Sequence, residues 1–182
     1  MQLLLPSSWG PHTHGVPVLI NDVPPKPFGP VIALDIETDE HDNFVGGCIY
    51  DGGTHLYYYT DPVSFQLRVA GKKIIGYNVK SDLMWLRLMG TVVGSADIFS
   101  DPMIQAYVVN SNRKNQGLKE VASEVLGWTW PSYKQMTGKG KDKKTLDKQE
   151  IELVAEYCGM DTLATWRLHY HFDKTFSAGE RN

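Results

Sequence analysis

Short apolar runs separated by turn-forming residues dominate the part of the chain that follows residue 30. Three of these runs, VIALDIET, FVGGCIYD and THLYYYT, are rich in β-branched and aromatic residues. The pattern predicts a meander of three successive antiparallel strands. After them, PVSFQLRVA has helical spacing, KKIIGYN predicts a short buried strand, and TVVGSADIF predicts the last strand.

Helical spacing and capping residues predict helices between the later strands and after them. VKSDLMWLRLMG has apolar residues near helical spacing and ends at Gly90, and QGLKEVASEVLGW ends at Gly127. SDPMIQAYVVN begins at Ser100 or Asp101, with Pro102 at its first position. We therefore interpret Asp101 as a helix cap and not as a metal ligand.

The last predicted helix is the longest. Asp147 and Glu150 form a pair that resembles a capping box, and the helical pattern then runs to about Phe176. The order of elements is three strands, then strands mixed with helices, then helices alone. This order predicts an α/β domain with one central sheet. A chain of 182 residues is long enough for one such domain with a complete core.

The first 30 residues differ from the rest in composition. They contain seven of the ten prolines, so residues 1–30 are predicted to be an extended arm and residues 31–182 the folded domain. His12 and His14 in this arm are interpreted as solvated loop residues, because neither has a Cys or acidic partner at ligand spacing. The start of the arm lacks a basic segment and a long apolar core, so it predicts neither a signal peptide nor a membrane span.

Cysteine content and charge narrow the setting of the protein. Cys48 and Cys158 are too few for a disulfide framework, which favours a reduced, cytoplasmic location, most simply in bacteria or in a phage that infects them. The formal net charge is −3. That sum argues against a nucleic-acid partner only until bound cations neutralise an acidic cluster.

Candidate chemistry lies in three short motifs. Asp35 and Glu37 are two residues apart on a predicted strand, so their carboxylates share one face. Asn78 and Asp82 are four residues apart at a helix start, where Asn78 is predicted to cap the helix. Tyr157 and Asp161 are also four apart, within the last helix. Carboxylates grouped in this way are typical ligands of hard divalent cations.

Taken in chain order, DxE, NxxxD and YxxxD resemble the three motifs of the DEDD superfamily of 3'-5' exonucleases. Tyr157 is typical of the DEDDy branch, since the histidine branch requires His at position 156, which is Glu. From about residue 31 to 172, the chain is similar to the proofreading exonuclease domain of bacterial DNA polymerase I type enzymes. GYNVKSDLMWL resembles that family's GQNLKYD, DPMIQAYVVNS resembles its DTMLxSYLLN, and TGKGK resembles its AGKGK loop.

The resemblance implies an RNase H-like fold, with a central mixed sheet and flanking helices, and two Mg²⁺ or Mn²⁺ ions. Asp35, Glu37 and Asp161 would hold the tighter ion, and Asp35 with Asp82 would be associated with the second. Tyr157 would position the attacking water together with Glu37. The expected reaction is release of nucleoside 5'-monophosphates from a 3' end.

The resemblance also implies contacts with the substrate. Thr38 matches a family threonine at the terminal nucleotide, Asn78 belongs to the second motif, and Tyr133 occupies the position of an aromatic clamp. His41 replaces a wedge leucine, and Ser81 replaces a tyrosine beside Asp82. The stretch from 134 to 148 has six lysines and two aspartates, which suits a loop that follows a phosphate backbone, and its Lys139 and Lys141 are candidate contacts. Trp128 and Trp130 are interpreted as packing beneath this loop.

Several functions remain open at this stage. The first is a freestanding 3'-5' exonuclease on single-stranded or frayed DNA, since the chain from Met1 onward leaves no room for a polymerase domain. A second is a proofreading module that works with a separate DNA polymerase, with the arm as a docking element. An RNase D-like RNA exonuclease shares the motifs. A module that binds nucleic acid or a polymerase without catalysis would not need all four acids and Tyr157.

Overall fold

A six-stranded mixed sheet lies at the centre of the molecule, which a computed structural model describes for residues 15–138 and 144–179. The strand order across the sheet is β1-β4-β3-β2-β5-β6. β2 pairs antiparallel with β3 and parallel with β5, so it occupies the middle of the sheet. The strands are β1 (Val18–Ile20), β2 (Val31–Thr38), β3 (Phe44–Tyr50), β4 (Leu56–Tyr59), β5 (Lys73–Ile75) and β6 (Ile98–Ser100).

Helices cover both faces of this sheet. The longest one packs across β2 and β3, and two shorter ones pack on the opposite face. Because no described helix is long and apolar enough to cross a bilayer, none is a candidate membrane span. The helices are α1 (Pro62–Val69), α2 (Lys80–Leu88), α3 (Pro102–Val109), α4 (Leu118–Leu126), α5 (Tyr133–Thr137) and α6 (Ile151–Gly179).

The alternation of side chains along β2 explains why the sheet has two different faces. Ile32 and Leu34 point into a core that contains Phe65 from α1 and Leu86 from α2. The side chains that alternate with them point toward α6, where the thiol of Cys158 lies against Asp35. Because successive side chains of a strand point to opposite faces, the odd-numbered positions of β2 all face α6.

Most of the predicted elements are confirmed. The three-strand meander is antiparallel throughout. Helices α1 to α4 lie in the four segments predicted to be helical, which are PVSFQLRVA, VKSDLMWLRLMG, SDPMIQAYVVN and QGLKEVASEVLGW. Gly127 closes α4 in the left-handed conformation, with φ +69°, which favours glycine. Asp101 caps α3 by accepting a hydrogen bond from the amide of Met103, as predicted. The last strand is shorter than predicted, because Ser95–Asp97 forms a 3₁₀ turn.

The N-terminal segment differs from its prediction as an arm outside the folded core. Within it, Val18–Ile20 pairs parallel with β4 and forms one edge of the sheet, and the ring of Phe28 is buried against Tyr57. The prolines around it are compatible with this role, because an edge strand leaves backbone groups on its outer side unpaired. Residues 15–30 therefore belong to the fold.

The start of the last helix also differs from its prediction. α6 begins at Ile151, and Asp147 lies in a separate 3₁₀ turn, Leu146–Lys148, so the capping-box prediction was wrong. The carbonyl of Glu150 accepts hydrogen bonds from the amides of Leu153 and Val154. The turn and the helix are thus two consecutive elements, which local spacing alone does not distinguish. The helix ends at Gly179, within one turn of the predicted end at about Phe176.

Candidate active site

The first two acids lie side by side at the end of β2. Asp35 and Glu37 are both half-buried and face α6, with Cys158 opposite them. One ligand atom from each of these three residues lies within 4.8 Å of the others. The pairing of β2 with β3 is irregular between Glu37 and Thr38, so the strand changes register directly after the second acid. A bulge at this point is a common device for aiming a functional side chain.

The third acid reaches the site from the first turn of α2. Asp82 is buried, with 7% of its surface exposed. The prediction that Asn78 caps this helix was wrong, since Val79 is the N-cap and no side chain makes the capping bond. Instead, the carboxylate of Asp101 accepts hydrogen bonds from the amides of Asn78 and Val79, at 3.0 and 3.1 Å. Asp101 therefore anchors the start of α2 in addition to capping α3.

The fourth acid and the tyrosine project from α6, one turn apart. Asp161 is buried and binds the ammonium group of Lys119, which donates to both carboxylate oxygens at 2.8 and 3.1 Å. The indole N–H of Trp130 also donates to Asp161. The same ammonium lies 3.3 Å from the hydroxyl of Tyr157. Asp161 is thus the acid of the site that forms an ion pair with a lysine of the protein.

Lys119 and Trp130 contact the candidate site but are not among its predicted residues. Lys119 lies in the first turn of α4, and its ammonium contacts the faces of the Trp130 and Tyr157 rings at 4.8 and 4.3 Å from their centroids. A lysine on an amphipathic helix ordinarily indicates a solvated face, so its sequence position carried no signal. Trp130 does pack as predicted, but its N–H also donates a hydrogen bond to Asp161.

Burial and mutual repulsion raise the pKa of the acids. Burial raises the pKa of Asp35 to about 7, and the charge of Asp161 adds to the effect. The pKa values of Glu37 and Asp82 are also raised by burial first, and the charge of Asp35 contributes to both. For Asp161, burial raises the pKa, while the bonds from Lys119 and Trp130 oppose the rise. Asp35 is therefore the acid whose charge reaches each of the other three.

The predicted substrate residues that the structure describes lie at the end of β2, at the start of α2 and at the start of α5. Thr38 ends β2, and His41 lies on the exposed turn after it, with 76% of its side chain accessible. Tyr133 begins α5 and lines a groove of about 720 Å³ together with Lys119, Trp130 and Tyr157. Asn78 is exposed at the start of α2, with a left-handed backbone of φ +58°. Lys139 and Lys141 lie outside the described residues.

Comparisons with known proteins found a matching family model and a curated relative. A family model described as 3'-5' exonuclease matches residues 20–176. DNA polymerase I of Pseudomonas aeruginosa is 27% identical over 95 residues, which are 52% of this chain and 10% of the polymerase. The chain therefore spans about a tenth of the length of that curated relative.

Solved structures share the fold at low sequence identity. Brucella melitensis NrnC has a TM-score of 0.65 and 20% identity, over 91% of this chain and 83% of NrnC. Escherichia coli RNase D, an exoribonuclease involved in structured RNA processing, has a TM-score of 0.55 and 17% identity, over 80% of this chain and 40% of RNase D. These similarities confirm the predicted RNase H-like fold with a mixed central sheet.

Proposed function

Because the chain belongs to the 3'-5' exonuclease family, we propose that it hydrolyses the terminal phosphodiester bond at the 3' end of single-stranded or frayed DNA. The expected products are nucleoside 5'-monophosphates. One observation carries the proposal: the structure gathers two half-buried acids of β2, whose ligand atoms lie within 4.8 Å of each other, and two buried acids of α2 and α6. A cluster of four acids from three elements has the donor set of a metal-dependent nuclease.

The donor set of the site fits divalent metal ions, which exonucleases of this family use. Carboxylate oxygens are the ligands that Mg²⁺ and Mn²⁺ prefer. Asp35, Glu37 and Asp161 would hold one ion, and Asp35 with Asp82 would hold the second. When bound, the ions supply a more acidic water and neutralise charge on the leaving 3' oxygen. A structure of NrnC is described with bound Mg²⁺, which makes Mg²⁺ the first ion to test.

Tyr157 contributes a hydroxyl group that stays protonated. Burial raises its pKa above the ordinary value, and the negative charge of Asp161 raises it further. A neutral phenol holds a water molecule by a hydrogen bond and does not remove its proton. We therefore assign Tyr157 to the orientation of the attacking water, with the carboxylate of Glu37 as the second partner of that water.

The groove beside the acids supplies surfaces for the substrate. Tyr133 is 41% exposed at its rim, and Trp130 and Tyr157 line its wall. Exposed aromatic rings bind unpaired bases by stacking, with little preference among the bases. Thr38, His41 and Asn78 are the candidate contacts on the side of β2 and α2. This arrangement favours a frayed or single-stranded end over an intact duplex.

The choice of DNA over RNA rests on the aligned stretch of DNA polymerase I. RNA is the second candidate, because RNase D shares the fold and one NrnC structure is described as bound to pGG. Contacts to the 2'-hydroxyl group are what distinguish the two polymers. Cooperation with a separate DNA polymerase in proofreading is a further proposal, and a cytoplasmic setting remains an expectation from the sequence.

Digestion of end-labelled substrates tests the proposed function. The protein is incubated with single-stranded DNA, duplex DNA, RNA of the same sequence and pGG, each with Mg²⁺, Mn²⁺ or EDTA. We expect release of mononucleotides from the 3' end of single-stranded DNA, with slower digestion of duplex DNA and none in EDTA. The assay separates 3'-labelled from 5'-labelled strands, so the direction of digestion is read directly.

The control is Asp35→Ala, purified in the same way. Because this change removes the carboxylate proposed to contact both ions, any digestion that remains indicates a contaminating nuclease. Faster digestion of RNA or pGG than of DNA would replace the proposed substrate with the second candidate. Absence of metal-dependent digestion of every substrate would leave the exonuclease proposal without support.

A further inference from the structure

Lys119 occupies an unusual place for a lysine. Its ammonium group donates hydrogen bonds to both oxygens of Asp161 and lies 3.3 Å from the hydroxyl of Tyr157. Only 20% of its side chain is exposed. Thus a cation that belongs to the chain is bound to a carboxylate proposed to hold a metal ion.

Two aromatic rings fix the ammonium group at this position. It lies 4.8 Å from the centroid of Trp130 and 4.3 Å from that of Tyr157, both of which attract a cation through their faces. Trp130 also donates its N–H to Asp161. The lysine, the tryptophan and the carboxylate therefore contact one another pairwise, which makes the position of Lys119 well defined.

The ammonium of Lys119 places a full positive charge directly on the carboxylate of Asp161, at 2.8 and 3.1 Å from its two oxygens. It therefore does, in part, what a bound divalent cation would do at the same carboxylate. The ammonium occupies an acceptor site on each of the two oxygens, which leaves fewer for a metal ion, and its charge repels the charge of the ion.

We propose that Lys119 is an internal counter-cation that stabilises the metal-free site and competes with the divalent ion for Asp161. The affinity for metal is accordingly lower than four carboxylates alone would give. This inference rests on the proposed metal site. It assigns Lys119 a positioning role, through Asp161, in setting the metal concentration that the protein requires.

Calorimetric titration of the EDTA-stripped full chain with Mn²⁺, in parallel with Mg²⁺, tests the inference. Lys119→Met removes the charge and keeps an unbranched side chain against the two rings. We expect the Kd for Mn²⁺ to fall about tenfold, which corresponds to about 1.4 kcal/mol. We also expect the variant to melt at a lower temperature than the wild type in EDTA. Added Mn²⁺ should raise the melting temperature of the variant by more than that of the wild type.

Two further variants serve as controls. Lys119→Arg keeps the positive charge, so its Kd should stay within about threefold of the wild type, a difference well under the tenfold effect of one lost charge. Lys174→Met removes an exposed lysine 13 residues beyond Asp161 on α6, about 20 Å along the helix, and should change nothing. If Lys119→Met fails to fold, Lys119→Gln provides the uncharged variant, with the same expected tightening.

The outcomes separate this inference from the proposed function. An unchanged or weaker Kd in the uncharged variants, with a higher KM for DNA, would mean that Lys119 binds a substrate phosphate, and the competition would be excluded. A tenfold tightening in Lys119→Arg would also overturn it, since charge would not be the cause. If the wild type binds no Mn²⁺ at all, the proposed metal site fails and the inference fails with it.

Discussion

The two sides of the site balance their negative charge differently. On the strand side, defined as Asp35 and Glu37 of β2, the two carboxyls share a hydrogen bond, and the thiol of Cys158, a weak donor, lies 3.4 Å from Asp35. On the helix side, defined as Tyr157 and Asp161 of α6, Asp161 receives hydrogen bonds from Lys119 and Trp130. Burial raises the pKa of the acids on both sides, but only the helix side has strong donors that oppose the rise.

This difference indicates which part of the site depends on an added cation. A buried carboxylate costs free energy unless a partner compensates it. On the helix side, Lys119 and Trp130 compensate Asp161 in part, although burial still leaves its pKa raised. On the strand side, Asp35 has the weak thiol donor of Cys158, a hydrogen bond with Glu37 and the more distant charge of Lys119, so this side gains most from a divalent ion. The asymmetry yields two predictions about the stability and activity of the two sides, and a third prediction concerns a half-buried carboxylate outside them.

The largest effect is expected from replacing one acid on each side by its amide. Asp35→Asn and Asp161→Asn should each reduce kcat by about a thousandfold or more, since each removes a ligand charge, at about 1.4 kcal/mol per factor of ten. In EDTA at pH 8 their stabilities should diverge. Asp35→Asn should raise the free energy of unfolding by about 1 kcal/mol, because it removes a charge that only weak or distant partners compensate. Asp161→Asn should lower it by about 1–3 kcal/mol, because Lys119 loses its ionic partner.

Urea denaturation in EDTA measures both stabilities, and digestion of 3'-labelled DNA measures both activities. Repeating the denaturation with saturating Mg²⁺ provides the control, since bound metal should stabilise the wild type far more than either variant. Equal destabilisation by the two amides in EDTA would contradict the asymmetry. It would indicate that the strand side has a compensating partner of its own.

A smaller effect is expected from Tyr157→Phe. The phenyl ring keeps its place beside Lys119, and only the hydroxyl proposed to orient the water is lost. We expect kcat to fall about 10- to 100-fold, a typical effect of losing one positioned hydrogen-bonding group. The Kd for Mn²⁺ should remain within about twofold, because the phenol is not a proposed ligand and one lost neutral hydrogen bond has a small effect.

Single-turnover digestion and calorimetric titration check these two quantities separately. Tyr133→Phe is a matched control, because it removes a phenol at the groove while keeping the ring for stacking. A large change in the Mn²⁺ affinity of Tyr157→Phe would assign the hydroxyl to the network of Lys119 and Asp161. An unchanged kcat would remove its proposed role in orienting water.

The acids were predictable because their placement follows from local geometry. The period of two along a strand places Asp35 and Glu37 on one face, and the 3.6-residue helical turn places Tyr157 above Asp161. The surrounding meander and α6 were predictable for the same reason, since each has a clear periodicity over several residues. The resemblance to a known family then indicated that the three motifs belong to one site.

The features that escaped prediction depend on contacts between distant segments. Lys119 meets Asp161 across 42 positions of sequence, and Asp101 meets the amide of Asn78 across 23. Val18–Ile20 becomes a strand only because β4 offers an unpaired edge. No local pattern encodes such pairings, because a lysine, an aspartate or a short apolar run is compatible with many surroundings.

The smallest predicted effect concerns Glu156, a carboxylate on α6 outside both sides of the site. Its Oε2 is buried without a hydrogen-bond partner among the described residues, and burial raises its pKa to about 7 from 4.5. The folded state therefore holds this proton more tightly than the unfolded state. As a result, the glutamate does not lower the free energy of unfolding below pH 4.5, and it lowers that free energy fully above about pH 7. Glu156→Gln should raise the free energy of unfolding by about 1 kcal/mol at pH 8, a value reduced for its partial exposure, and by much less at pH 5. Urea denaturation at both pH values, with the exposed Glu150→Gln as control, tests this; a gain independent of pH would show that charge is not its cause.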